Sequence, residues 1–315
     1  MHNEANNDYP ALKVTLFLII GLITFGFAPI IVRFATDVEP LALAALRTAI
    51  AVLILFPFWY QKRTPLKNLK KHGLHAGLVI GAGFALGLHF TFWIASLHYT
   101  SVASASVLVT IHPVMLIVAE SMIFKAKFRP LVWGGVFIAF AGSVMLGIAD
   151  DVNMDLFPDA LLGNGLAFTA AVIFVVYFLL GRRIRQHAEW IDYVFHVYLH
   201  AAIICTILTF LWVGGIPVIS GTGLLAGIAL AIGPTILGHG SMNYAVKYVS
   251  PTLLSTLVLS EAIFAAIAAY FIFDEIPSLL SITAMMIIIT GVVLTWTRRF
   301  KYQAKSKATR ESKKS

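Results

Sequence analysis

Apolar residues run through this chain in long stretches that are separated by short polar segments. Ten stretches have about the 20 apolar residues that a helix needs to cross the hydrocarbon core of a bilayer. They cover residues 13–35, 41–60, 73–97, 101–123, 131–148, 162–181, 190–213, 221–245, 250–273 and 279–297. The first stretch is too long for the apolar region of a signal peptide, so we treat it as a true helix. The pattern predicts an all-α integral membrane protein with ten transmembrane helices.

The composition agrees with a membrane location and excludes soluble classes of protein. Hydrophobic residues make up 59% of the chain and charged residues only 12%, against about 45–50% and about 25% in ordinary globular chains. A soluble enzyme or DNA-binding protein this apolar would lack the polar groups needed to cover its surface. The single cysteine, Cys205, lies inside an apolar stretch, which excludes an intramolecular disulfide and a cysteine-based metal cluster.

The positions of Lys and Arg orient the helices, because these residues concentrate in cytoplasmic loops. With the N-terminus inside, the inner segments hold all but two of the 23 basic residues. The exceptions, Arg33 and Arg47, fall within spans near the outer side, whereas the outer loops carry acidic residues such as Glu39 and Asp274. We therefore predict a multi-pass protein of the inner (plasma) membrane with both termini in the cytoplasm.

The second half of the chain repeats the first. A shift of 149 residues places His112 on Glu261 and Gly142 on Gly291. Because five spans separate the two copies, they must have opposite orientations, which is typical of alternating-access transporters. The chain accordingly divides into an N-terminal segment (1–12), a first repeat (13–148), an outer loop (149–161), a second repeat (162–297) and a basic tail (298–315). We interpret the tail as an anchor at anionic lipid headgroups and not as a nucleic-acid-binding arm.

The segment SPTLLSTLVLSEAIFAAIAAYFIFDEIPS, residues 250–278, resembles the EamA branch of the drug/metabolite transporter (DMT) superfamily. Glu261 and the Asp274–Glu275 pair stand where that family has a Glu and a Gly-Glu. The first repeat departs from the pattern, because IHPVMLIVAESMIFKAKF has His112 opposite Glu261 and Lys125–Ala126 in place of the acidic pair. The resemblance implies two EamA repeats and transport of a small metabolite. It implies no particular substrate, because the family handles many.

Glu261 and His112 lie near the middle of their spans, at equivalent positions of the two repeats. An ionisable side chain inside a span is costly, so each is a candidate functional residue. One hypothesis is that the pair binds substrate or couples transport to protons by titrating near neutral pH. The alternative is a structural hydrogen bond to a Ser or Thr. Glu120, farther along the fourth span, is expected to pair with the inner lysines.

Arg47, in the segment ALRTAI of the second span, is a candidate for binding a substrate carboxylate through two parallel hydrogen bonds. The resemblance implies an Arg at this place. The alternatives are that Arg47 extends to the outer surface or pairs with Glu39. His89 and Trp93 are four residues apart and therefore share a face of the third span. Trp93 is a candidate for stacking on a substrate, with an interfacial position as the alternative.

Further polar residues lie within spans, where facing lipid is costly. A patch in the eighth span is expected to face a cavity or a neighbouring helix; it comprises His239, Ser241, Asn243 and Tyr244. In the fourth span, Thr110 is a candidate with Ser104 and Ser106, and the alternative is that these hydroxyls bond to their own helix. Pro29 and Pro234 are each expected to open a turn of their helix.

Pairs of glycines four residues apart recur in the third and eighth spans. They are Gly77 with Gly81, Gly83 with Gly87, and Gly223 with Gly227. Small faces of this kind let two helix backbones approach closely in lipid, so the pattern predicts tight helix packing.

The sequence contains no Walker loop, dinucleotide-binding fingerprint or G-x-S-x-G motif. Asp192, His196 and His200 recur at a spacing that metal ligands use, but the Glu of H-E-x-x-H is missing, so we predict no metal and no cofactor. The sequence favours a secondary transporter that exports a small metabolite such as an amino acid. Its predicted partners are that small-molecule substrate, the lipid bilayer and a proton as coupling ion. An integral-membrane enzyme and a passive channel are the alternatives.

Overall fold

The computed structural model describes residues 10–35, 37–62, 76–100, 102–149, 158–273 and 276–311. Within these residues the chain is helical and has no strand, as predicted. The first repeat contains α1 (Ala11–Gly26), α2 (Ala28–Arg33), α3 (Pro40–Lys62), α4 (Ala76–Tyr99), α5 (Val102–Val109), α6 (His112–Ile123) and α7 (Pro130–Ala149). The second contains α8 (Ala160–Arg185), α9 (Trp190–Val213), α10 (Gly221–Leu230), the π-helix α11 (Ala231–His239), α12 (Gly240–Ala245), α13 (Pro251–Val258), α14 (Glu261–Phe273) and α15 (Leu279–Glu311).

Within the described ranges, seven helical stretches are long and apolar enough to cross a membrane. They are Ala11–Val32, Pro40–Lys62, Ala76–Tyr99, Ala160–Arg185, Trp190–Val213, Gly221–Ala245 and Leu279–Trp296. Two shorter apolar helices, Val107–Ile123 and Pro130–Leu146, correspond to the fourth and fifth predicted spans. The predicted ninth span is divided between α13 and α14. The Asp274–Glu275 pair and most of the predicted outer loop, residues 150–157, lie outside the described residues.

Four of the predicted spans are interrupted near their middle. The chain leaves the helix at Phe27, just before Pro29, and it forms the wider π-helix around Pro234. A proline has no amide hydrogen and its ring clashes with the carbonyl one turn earlier, so the prediction that these helices open is confirmed. The prediction of one continuous helix for the fourth span was wrong, because Pro113 interrupts that helix at Thr110 and Ile111.

The predicted ninth span was also wrong as a continuous helix, although no proline lies at its break. The amide and the hydroxyl of Ser260 both donate to the carbonyl oxygen of Leu257, at 3.0 and 2.6 Å. This local bonding replaces the regular ladder for one turn, between the end of α13 and the start of α14.

Glycines bring several helix pairs into backbone contact. A Cβ at Gly87 would lie 2.9 Å from the carbonyl oxygen of Ala201 on α9, and one at Gly83 would lie 2.7 Å from that of Val197. The predicted close packing is therefore confirmed for this pair. It is wrong for Gly77, where a Cβ would meet no described atom within 4 Å.

Candidate substrate cavity

A cavity of about 100 Å³ lies where the broken helices of the two repeats meet. Its lining consists of Phe25, Ala28, Pro29, Arg47, His89, Phe90, Trp93, Val109, Thr110, His112, Phe174, Pro234, His239, Met242, Val258 and Glu261. Seven of the nine side chains predicted as substrate or coupling sites are therefore brought together here. The other two, Asn243 and Tyr244, do not line it.

His112 and Glu261 are the first residues of α6 and α14, so each begins the second half of a broken helix. His112 Nδ1 lies 2.9 Å from the carbonyl oxygen of Val109 and donates to it. Its Nε2 atom is buried and has no hydrogen-bond partner among the described residues. The Glu261 carboxyl makes neither a hydrogen bond nor an ion pair within the described part of the chain. Neither side chain makes the structural bond to a Ser or Thr that was the alternative.

The Arg47 side chain is 1% exposed, and a residue of the second repeat accepts a hydrogen bond from it. Its Nε atom donates to Thr235 Oγ1 at 2.9 Å, and its guanidinium carbon lies 4.1 Å from the centroid of the Phe90 ring. The side chain neither extends to the surface nor pairs with Glu39, so both of those alternatives are wrong. Within the described residues it has no ion-pair partner, which leaves its positive charge directed at the cavity without a counter-charge.

The π-helix positions the threonine that holds Arg47. Thr235 Oγ1 donates at 2.8 Å to the carbonyl oxygen of Leu230, five residues earlier, and the Thr235 carbonyl accepts from Tyr198 Oη at 2.6 Å. Pro234 lies four residues after Leu230 and has no amide hydrogen, so the Leu230 carbonyl lacks its α-helical donor and accepts from the Thr235 hydroxyl instead.

Aromatic rings and imidazoles make up much of the remaining wall. His89 Nδ1 lies 3.0 Å from the carbonyl oxygen of Ala170, and Trp93 lies on the same face, as predicted. The His239 ring stands edge-on to Phe90, with the centroids 4.9 Å apart, and the Phe174 ring stands edge-on to His112 at 4.7 Å. These rings limit water around the charged groups, so a charged ligand would interact with them more strongly than in bulk water.

Asn243 and Tyr244 lie outside the lining of this cavity, in contacts between helices. Asn243 Oδ1 accepts from Tyr177 Oη at 2.7 Å, and its carbonyl accepts from Arg185 Nε at 2.9 Å. The Tyr244 ring stands edge-on to Phe17, and Lys13 Nζ lies 5.2 Å from its centroid. The prediction that this patch avoids lipid is confirmed, although these two side chains do not face the cavity.

Side chains of one repeat bind the other repeat at both ends of the bundle. At the end that carries the basic loops, Glu120 Oε2 accepts from the amide nitrogen of Thr252 at 2.7 Å and from its hydroxyl at 2.5 Å. The expected pairing of Glu120 with lysines was therefore wrong, because the carboxylate caps the start of α13. At the acidic end, Thr222 Oγ1 donates to Asp37 at 2.7 Å, and hydrogen bonds from Thr222 and Ser220 lower the pKa of Asp37.

No three His, Cys, Asp or Glu side chains converge on a metal position within the described ranges. On α9, His196 Nδ1 lies 2.7 Å from the carbonyl oxygen of Asp192, and His200 Nδ1 lies 2.7 Å from that of His196. In both rings the Nδ1 atom is thus bonded along its own helix.

Sequence analysis missed the cavity's aromatic residues and its supporting threonine. The chain has 23 phenylalanines, and nothing in their spacing distinguishes Phe25, Phe90 and Phe174 from those that face lipid. Thr235 carried a usable signal, since it follows a proline in the middle of a span.

Two comparisons with known proteins place the chain among transporters, and a third shows its fold in a solved structure. The EamA-like transporter family matches residues 12–148 and 161–297. A protein of Archaeoglobus fulgidus described as an uncharacterized transporter is 25% identical over 296 residues, which are 92% of this chain and 98% of that protein. A protein of known crystal structure shares the fold, with a TM-score of 0.74 and 19% identity over 90% of this chain and 96% of the other.

Proposed function

Because this chain belongs to the EamA-like transporter family, we propose that it is a secondary transporter that exports a small metabolite, such as an amino acid, by alternating access. In this proposal ten transmembrane helices form two inverted repeats, and both termini lie in the cytoplasm. The observation that carries the proposal is the central cavity, which is lined by both repeats. It holds the Arg47 guanidinium, which has no ion-pair partner among the described residues, and the Glu261 carboxyl, which has neither a hydrogen bond nor an ion pair there.

The cavity suits a small zwitterion. Arg47 offers donors that match a carboxylate in the planar, two-bonded geometry of a guanidinium. Glu261, when ionised, is an acceptor for an ammonium group, and Trp93 and Phe174 offer apolar area for a side chain. An unpaired charge in a site of low polarity is costly, so a substrate that supplies the opposite charge relieves that cost.

Alternating access requires that contacts between the repeats break and form in turn. The Glu120–Thr252 bonds close the repeats at the basic end, and the Asp37–Thr222 bond links them at the acidic end. In the proposed cycle the hydrogen bonds at the two ends break alternately, and the helices bend at their breaks around the cavity as the repeats move. A passive channel would need a continuous path and no such exchange.

The substrate class is tested by transport into proteoliposomes that contain the full chain. Radiolabelled amino acids and small carboxylic acids are offered with and without a pH gradient. We expect saturable uptake of a zwitterion, strongly reduced by Arg47→Ala and unaffected by Arg183→Ala, an exposed arginine at the basic end. Nonsaturable flux would favour a channel, and chemical conversion of the label would favour an enzyme.

We further propose that Glu261 and His112 carry the coupling proton. Glu261→Gln keeps the shape of the side chain and removes its titration, so the initial transport rate should lose most of its pH dependence, and His112→Gln should behave similarly. Glu189→Gln, at an exposed position, is the matched control. Curves that superimpose on the wild type would remove the pair from the mechanism, and lower rates with an unchanged pH profile would limit it to substrate binding.

A further inference from the structure

A second cavity opens at the acidic end of the bundle, away from the central one. Its volume is about 460 Å³, within the range of ligand-binding pockets. It is a groove whose floor is one face of α4 and whose walls come from the start of α3, the start of α8 and the end of α9. The lining consists of Glu39, Pro40, Leu41, Leu88, Thr91, Phe92, Ala95, His98, Tyr99, Leu162, Leu166, Leu208, Leu211 and Trp212.

The interior of the groove is apolar and open to the surroundings of the bundle. Leu162, Leu211 and Trp212 are 53%, 72% and 62% exposed. The hydroxyl of Thr91, the one hydroxyl in the floor, donates to the carbonyl oxygen of Gly87 at 2.9 Å and offers the groove no free donor. In a bilayer, an opening of this kind faces acyl chains.

The depth of the groove matches one leaflet. From His98 to Leu88 the floor runs ten residues along α4, about 15 Å at 1.5 Å per residue. That is half of a hydrocarbon core about 30 Å thick. A groove that begins at headgroup level and ends near the midplane has the dimensions of one acyl chain.

The polar residues of the groove lie together at its mouth. Glu39 precedes α3, and His98 and Tyr99 end α4. Glu39 makes no side-chain hydrogen bond or ion pair in the described part of the chain. Because Glu39 has no cation partner among the described side chains, a headgroup that carries a positive charge complements it.

We propose that this groove binds one phospholipid with a primary ammonium headgroup, as in phosphatidylethanolamine. One acyl chain fills the groove along α4, the ammonium group donates to Glu39, and the phosphate accepts from Tyr99 or His98. Phosphatidylglycerol is disfavoured because its negative charge meets Glu39. Phosphatidylcholine is disfavoured because its quaternary ammonium has no hydrogen to donate. This site is independent of the proposed transport function.

The test is native mass spectrometry of the purified full-length protein after incubation with equal amounts of the three lipids, matched in their acyl chains. We expect the wild type to retain one phosphatidylethanolamine preferentially. Glu39→Gln should reduce that preference by about threefold, the size expected of a partly exposed ion pair. Asp159→Asn changes an exposed acidic residue at the same end that does not line the groove, so it is the matched control and should leave the preference unchanged.

A second variant tests the acyl-chain part of the site. Ala95→Trp fills the groove and should abolish retention of the lipid, whereas Val172→Phe, on the exposed face of α8, should not. Equal retention of the three lipids by the wild type, or an identical preference in Glu39→Gln, would overturn the proposal. A stable dimer that Ala95→Trp dissociates would also overturn it, because a second copy of the chain would then occupy the groove.

Discussion

Replacing Thr235 by Val tests whether the π-helix holds Arg47 in its working position. The two side chains have nearly the same shape, so the fully buried site is not emptied, but the hydroxyl is lost. Arg47 Nε and the carbonyl oxygen of Leu230 each lose a partner. A buried group left without its hydrogen bond costs about 1–3 kcal/mol, and bonds to charged groups lie toward the upper end. We therefore expect a loss of about 2–4 kcal/mol in total.

The loss should appear both in stability and in substrate binding. In detergent, Thr235→Val should unfold at a lower temperature than the wild type, and Thr235→Ser should restore most of the difference. In proteoliposomes the KM for the substrate found by the uptake screen should rise about tenfold, which corresponds to about 1.4 kcal/mol of lost binding. A variant with wild-type melting and an unchanged KM would show that Thr235 does not position Arg47. Lower stability with an unchanged KM would restrict the threonine to a structural role.

Three further predictions address the site, the packing and the topology. Arg47→Lys should raise KM markedly while the protein still folds, because a point charge replaces a planar fork; an unchanged KM would make Arg47 a structural residue. Gly87→Val should lower the free energy of unfolding by about 1–3 kcal/mol, because the added side chain overpacks against α9. Gly77→Val should have little effect. Equal melting temperatures for the two variants would refute the packing argument. Cysteines at Asp155 and Ser315 should react with impermeant reagents from opposite sides of the membrane, and labelling from the same side would refute the inverted topology.

The fold was largely predictable because two simple sequence patterns determine it: long apolar stretches and a repeat of the first half in the second. Apolar length gave the helices, and the repeat placed His112 opposite Glu261 before any geometry was known. The helix breaks were predictable only where proline causes them directly. The break before Glu261 lies at a serine that bonds its own helix, but Ser121 does the same inside a continuous helix, so a serine in the sequence does not predict a break.

The polar residues of the candidate site could be predicted from the sequence, but its apolar residues could not. A polar side chain inside a span is costly when it faces lipid, so Arg47, His89 and His112 could be assigned to the interior of the helix bundle. A phenylalanine has the same preference for lipid as for a neighbouring helix, so no pattern identifies Phe174 as cavity lining. For the same reason the apolar groove along α4 could not be predicted from the sequence; its informative residue is Glu39, the carboxylate at its mouth.

The bond between Arg47 and Thr235 has a consequence for any alternating-access cycle. Arg47 belongs to the first repeat and Thr235 to the second, so relative motion of the repeats must either break this bond or carry α3 along with the π-helix. A substrate carboxylate on the guanidinium would change the cost of each option, since it offers Arg47 a partner that does not depend on the second repeat. A ligand shifts a conformational equilibrium only through such differential contacts. In the proposed cycle, substrate binding at Arg47 would therefore be coupled to movement of the second repeat through the bond to Thr235.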